Sequence, residues 1–159
     1  MSSGNPLVDV VSTLPNSACP IEGVGTAGQP GEGAWSELAR AGYRTVVDLR
    51  APEEPRGHNE PAAVRKAGME YLPLPVTPAT LSDDTFEHFR AIMRDPARRP
   101  ILVHCSTANR VGALLVPYLM LDERRPAGET IQLAQRVGLR SPEYVSMALD
   151  YAKRRGAAA

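Results

Sequence analysis

The segment Ile101-Leu-Val-His-Cys-Ser-Thr-Ala-Asn-Arg-Val-Gly-Ala-Leu114 sets a cysteine and an arginine five positions apart, with apolar runs on either side. It reads as a buried strand, a short polar loop beginning at Cys105 and a helix beginning near Asn109. The Cys105 thiol then lies at the carboxyl end of a parallel strand and faces the positive end of a helix, with the backbone N–H groups of Ser106, Thr107, Ala108 and Asn109 turned inward. Such a setting lowers a thiol pKa from about 8.5 to ~4–6 and yields a charged nucleophile at neutral pH. Arg110, at the far rim of the loop, offers a planar fork to an oxyanion. The plainer reading makes Cys105 a small core residue and Arg110 half of a surface pair. It needs strand, cysteine, polar loop, arginine and buried helix to coincide by accident.

Other reactive residue types are sparse. His104 reads either as a hydrogen-bonded sheet histidine or as a residue that tunes Cys105 through the local network. His58 and His88 read as solvated, and Cys19, in Asn16-Ser-Ala-Cys-Pro20, as a loop thiol with an outside role as redox partner of Cys105. Two cysteines with no C-x-x-C and no Cys/His cluster lack zinc-ligand spacing, so no metal and no cofactor is expected. Lys and Arg number 18 against 18 Asp and Glu, which removes the electrostatic case for a nucleic-acid or anionic-membrane partner. Aromatic residues at 5% are too few for base-stacking platforms, and the core must be aliphatic. The first fourteen residues lack the basic and apolar regions of a signal peptide, and no run reaches membrane-spanning length; a reducing cytoplasm is the expected location.

These residues need a scaffold that ends strands and starts helices at one level. From Ala34, Trp35, Leu38 and Ala39 recur at helical spacing, Gly42 stops the helix, and Arg44 to Arg50 follows as a strand. Pro61 to Ala67, Gly68 and Met69 to Pro73 repeat the unit, which implies parallel strands with right-handed crossovers. A third helix is predicted from Ser82 to Asp95, then the strand Pro100 to His104. Val111 to Leu121 is apolar all round and suits a central helix kinked at Pro117. Two amphipathic helices close the chain, Ala127 to Val137 and Pro142 to Arg154. The stretch from Met1 to about Gly33 is expected to be loops with one or two short strands, residues 1–21 forming a loop-rich extension. The whole predicts one α/β domain over 1–159, with a mainly parallel sheet of four to five strands flanked by helices.

His104-Cys105 followed by Arg110-Val-Gly, with Ala27-Gly-Gln-Pro30 upstream and Val46-Val-Asp-Leu-Arg50 between, resembles the bacterial branch of the cysteine-dependent tyrosine and dual-specificity phosphatases. Within that branch it is similar to the phosphatase-like domains fused to β-lactamase-like hydrolases or NAD kinases. The resemblance runs from about Ile21 to Leu121. It implies a phosphatase acting on a phosphorylated protein or small phosphate ester, in which Cys105 attacks phosphorus and forms a phosphocysteine. Arg110 and the amides from Ser106 to Arg110 would bind the equatorial oxygens. Asp48 would sit near the loop and hold Arg110 or Arg50, or simply pair with neighbours at the sheet edge, and Gln29 would lie close to the pocket.

The sequence departs from that family at three positions. Only four residues, Ser106, Thr107, Ala108 and Asn109, separate Cys105 from Arg110 where the common signature has five. Ala108 stands where relatives carry Gly, so a positive φ there costs on the order of 1 kcal/mol. Val111 replaces the hydroxyl residue that helps the thiolate leave. No Asp follows Tyr71-Leu-Pro-Leu-Pro-Val76 directly; the candidate general acids are Asp83 and Asp84, which are explained more simply as first-turn carboxylates of a helix. Without an acid, aryl phosphates are the favoured substrates. The short loop keeps a rhodanese-like sulfurtransferase with a Cys105 persulfide as the alternative, and a non-catalytic phosphate-binding module as a third reading.

Overall fold

The computed structural model describes residues 4–157. Among them the strands β1 (Ala18–Ile21), β2 (Val24–Ala27), β3 (Thr45–Asp48), β4 (Glu70–Pro73) and β5 (Ile101–His104) form one sheet in the order β1-β2-β5-β3-β4. β1 runs antiparallel to β2, and every other pairing is parallel. The register sets Ala27, His104, Asp48 and Pro73 side by side at the carboxyl edge. All four parallel strands therefore end at one level, where an open α/β sheet builds its site.

Alternation along the strands sends side chains to two faces. Val47, Ile101 and Val103 join one apolar cluster under α4 (Asp83–Arg94), α5 (Asn109–Leu121), α6 (Ala127–Val137) and α7 (Pro142–Arg154). Val46 and Leu102 join the other, with Trp35 and Leu38 of α2 (Ala34–Ala41), Val64 of α3 (Glu60–Lys66) and Val11 of α1 (Pro6–Val11). α5 is buried from Val111 to Met120, as an apolar helix requires, and continues through Pro117 to Leu121. Truncating one of its fully buried leucines, such as Leu114, costs about 2–5 kcal/mol.

The opening stretch holds the short strands expected there, β1 and β2, but also a helix where a loop is expected. Pro6–Val11 is helical, with the Asn5 side chain accepting the Leu7 N–H at 3.0 Å. A six-residue, valine-rich helix has little intrinsic stability. Tertiary packing holds it: Val11 is buried and the Tyr43 hydroxyl donates to the Leu7 carbonyl at 3.0 Å. Cys19 also departs from expectation, because it lies on β1, exposed and unbridged, and not in a loop.

Candidate active site

The loop after β5 is anchored at its start by the Cys105 N–H, which donates to Ala27 O at 3.3 Å. The turn out of β2 presses on it: Gln29 N–H donates to Ser106 O at 3.2 Å, and a Cβ on Gly28 would lie 2.6 Å from that same oxygen. Ala108 adopts φ 68° and ψ 6°, the left-handed conformation that turns the chain into α5. Glycine would enter it freely; alanine does so at on the order of 1 kcal/mol. Among the described residues, the backbone N–H groups from Ser106 to Arg110 have no hydrogen-bond partner within the protein. Together with the start of α5 they form a concave set of donors suited to an anion. Cys105 is buried at the base of this loop, 1% exposed.

Arg110 is held by a residue other than the one expected. Its Nη1 and Nη2 donate to the two carboxylate oxygens of Glu54 at 2.7 and 2.9 Å, and Nη1 also donates to Val76 O at 3.1 Å. Glu54 therefore occupies the end of the guanidinium, and the Nε/Nη2 edge keeps two parallel N–H groups for two oxygens. The Arg110 hydrogen bond, set against a smaller effect of burial and helped by the Ala51 N–H and Arg50, pulls the Glu54 carboxyl down to about 2. The charged form of Glu54 is therefore favoured.

Asp48 does not hold Arg110; it binds the Arg50 backbone and pairs with Arg56, at the carboxyl end of an interior strand and not on an edge strand. It is fully buried on β3, between β5 and β4, where Oδ1 accepts the Arg50 N–H at 2.9 Å and Oδ2 accepts from Arg56 Nε at 2.7 Å and the Tyr71 hydroxyl at 2.6 Å. Burial alone would raise its pKa; the charge of His104 and the bonds from Arg56, Tyr71 and Arg50 outweigh burial and hold it below the usual value. The Arg50 side chain donates to Glu54 and to Gln29 Oε1. Gln29 Nε2 donates in turn to Glu60 at 2.8 Å, and Glu60 meets His104 Nε2 at 2.6 Å. A continuous chain of polar contacts thus runs under the loop from Arg110 to His104.

His104 points into the α1–α3 face beside Trp35, whereas Cys105 belongs to the cluster on the α4–α7 face. The two side chains diverge, so His104 makes no direct contact with the thiol and is linked to it through their shared backbone and through the polar chain that ends at Arg110. His58 is not freely solvated: its Nε2 accepts the Trp35 indole N–H at 2.8 Å, while His88 is exposed as expected. Among the described residues, Asp48, Glu60 and His104 could in principle surround a cation, their ligand atoms lying within 4.8 Å of one another. Their oxygens are already engaged by Arg50, Arg56, Tyr71, Gln29 and His104, which is the chemistry of an ion-pair knot.

Neither proposed acid is brought to the thiol. Asp83 is bonded to both terminal nitrogens of Arg154 at 2.7 and 2.8 Å, and Asp84 is exposed. Arg154 follows Tyr144 by ten residues on α7, about 15 Å along the helix axis. Tyr144 is the α7 residue that faces the site: it is buried, burial raises its hydroxyl, and the charges of Arg110 and Cys105 both act on it. Glu54, Arg56, Glu60, Tyr71 and Tyr144 all escape sequence reading. Glu54 stands in a Pro-rich loop soon after Asp48-Leu-Arg50, with nothing in its spacing to distinguish it from Glu53. Asn109 keeps its backbone N–H unpartnered in the loop, while its side-chain Oδ1 accepts the N–H groups of Arg140 and Ser141 at 2.7 and 3.2 Å.

A family model described as DSP-PTPase phosphatase fused to NAD+ kinase matches residues 23–146, a span that includes every element of this site. The chain belongs to that phosphatase family. Beta-lactamase hydrolase-like proteins are similar to it: that of Xylella fastidiosa (strain Temecula1) is 30% identical over 122 residues, covering 74% of this chain and 28% of the relative. That of Agrobacterium fabrum is 29% identical over 102 residues, covering 62% and 23%. The chain thus corresponds to about a quarter of these relatives' length. Among solved structures, a protein of Shewanella putrefaciens CN-32 described under the label DUF442 as a phosphatase candidate superposes with a TM-score of 0.79 at 22% identity, over 94% of this chain and 99% of that one. Tk-PTP in its active form gives 0.74 at 23%, over 88% and 98%, and the PP-IP phosphatase SIW14 of S. cerevisiae gives 0.71 at 17%, over 89% and 90%. These likenesses show the cysteine-phosphatase α/β fold. Among the described residues no helix is long and apolar enough to cross a membrane.

Proposed function

We propose that the chain hydrolyses phosphate monoesters through a phosphocysteine on Cys105, with aryl or tyrosine phosphates favoured. The observation that carries this reading is the Arg110 guanidinium, fixed end-on by Glu54 so that one edge stays free beside a loop of unpartnered N–H groups. That arrangement is complementary to a phosphoryl group with charge spread over its equatorial oxygens. The Cys105 thiolate attacks phosphorus, the P–O bond to the leaving group breaks, and the electron pair departs with that oxygen. Water then attacks phosphorus, the P–S bond breaks, and phosphate leaves with the thiolate restored. An aryloxide leaves without a proton, whereas an alkoxide needs one from an acid that neither Asp83 nor Asp84 is placed to give. Val111 offers no hydroxyl to the departing thiolate, so the second step is the slow one. A reduced thiol is required, which fits a reducing compartment such as the cytoplasm.

A second reading, a sulfurtransferase carrying a Cys105 persulfide, is favoured by one observation: only four residues separate Cys105 from Arg110, and the cradle is correspondingly small. Intact-protein mass spectrometry after acid quench separates the two. Turnover of an aryl phosphate should leave a phosphoryl group on Cys105, absent in Cys105→Ser. One added sulfur after thiosulfate, removable by cyanide and without any phosphoryl adduct, would replace the phosphatase reading by the sulfurtransferase.

A further inference from the structure

On the outer side of the catalytic loop, Thr107 shares a groove of about 290 Å³ with Asn16, Ser17, Arg136, Gly138 and Arg140. Among the described residues no acidic one lines it. Arg136 and Arg140 are both exposed, and among the described residues the Arg140 guanidinium donates only to the carbonyls of Gln135 and Leu139. A larger cleft of about 550 Å³ is different in kind, because Glu54 and Glu60 line it alongside Arg50, Arg56 and Arg65, and its Arg50 and Arg56 are paired with Glu54 and Asp48. In a chain of zero formal net charge, the groove beside Thr107 is a local surplus of positive charge placed directly against the loop.

The groove is also fixed in register with the thiol. Asn109 binds the backbone N–H groups of Arg140 and Ser141, and Gly138 packs so closely that a Cβ there would lie 3.0 Å from three atoms of Ala108. The connection from α6 to α7 is therefore tied to the loop that holds Cys105. A ligand spanning the two sites meets a preformed spacing and loses little freedom on binding.

We propose that this groove is a subsite for a second anionic group, so that the preferred substrate is a small molecule with two phosphates, one over Cys105 and one between Arg136 and Arg140. The proposal rests on the phosphatase reading and specifies its substrate class. Arginine and phosphate form charge-assisted, paired hydrogen bonds, and two such contacts raise affinity by about tenfold or more.

The test uses the full chain as Cys105→Ser, with calorimetric titration of fructose 6-phosphate and fructose 1,6-bisphosphate at constant ionic strength. The bisphosphate should bind about tenfold tighter or better. In Arg136→Gln/Arg140→Gln the ratio should fall to about two, the statistical factor for a ligand offering two phosphates to one site, with fructose 6-phosphate affinity unchanged. Arg136→Gln alone, at an exposed side chain, should lower the ratio about threefold and guards against loss of the Arg140 carbonyl contacts. Equal affinities in the parent, or a ratio that survives the double change, overturns the subsite while leaving the phosphate loop standing. Failure of both sugars to bind, together with no turnover of an aryl phosphate by the unaltered chain, brings down the phosphatase reading itself.

Discussion

Replacing Glu54 by Gln tests whether Arg110 works because it is held. The carboxylate accepts two charge-assisted hydrogen bonds from Arg110, at 2.7 and 2.9 Å. Glutamine is nearly isosteric but keeps one acceptor, and its amide N–H groups would face a second donor. Loss of one charged bond plus a donor–donor contact amounts to about 2–3 kcal/mol. Expressed in the transition state, that is roughly 30- to 150-fold in kcat for an aryl phosphate. Stability responds less. The fall of the carboxyl to about 2 from an ordinary ~4.3 corresponds to about 3 kcal/mol at face value, but Glu54 is partly solvated, and screening reduces this to about 1 kcal/mol. Because the folded-state value is depressed, this stabilisation is fully present above ~4.3 and is lost as pH falls through about 2. The deficit of Glu54→Gln in urea melts should therefore be constant from pH 5 to 8 and shrink towards pH 2. A variant with kcat within threefold of the parent would falsify the assignment of Glu54 as the residue that positions Arg110.

Cys105→Ser should abolish turnover with melting temperature nearly unchanged, since the hydroxyl fits the loop and does not ionise at neutral pH; residual activity within tenfold of the parent would remove Cys105 from the reaction. Gly138→Ala should lower stability by about 1–3 kcal/mol and turnover by about tenfold, because the new methyl at φ 149° meets Ala108 at 3.0 Å and must push the loop. Thermal melts alongside kinetics check both, and full activity would mean the loop tolerates the shift. Glu60→Ala should destabilise by about 3–5 kcal/mol, since it strips the buried His104 Nε2 and the Gln29 amide of their partner. Chemical denaturation measures it, and a loss below 1 kcal/mol would show that the pair contributes little.

Local pattern determined most of the scaffold. The repeated helix, glycine and strand, the apolar run before Cys105 and the amphipathic stripes of the last two helices are each written in contiguous residues, and the structure places them at Ala34–Ala41, Thr45–Asp48, Glu60–Lys66, Glu70–Pro73, Ile101–His104, Ala127–Val137 and Pro142–Arg154. Cys105 and Arg110 were legible for the same reason, being five positions apart on one loop. The short helix Pro6–Val11 was not, because its stability comes from Tyr43 and the core and not from its own six residues. Nor was the partner of Arg110. Glu54 precedes it by 56 residues, and only the parallel pairing of β3 with β5 brings the loop after one strand against the loop after the other. Adjacent residues were separated just as decisively: alternation on β5 and its end sends His104 to Glu60 on one face and Cys105 under α5 on the other. A sequence specifies which residue types can do chemistry and where strands and helices begin. Which of several similar charges meets which is decided by register and topology, because an ion pair forms only where the fold brings two charged groups within hydrogen-bonding distance.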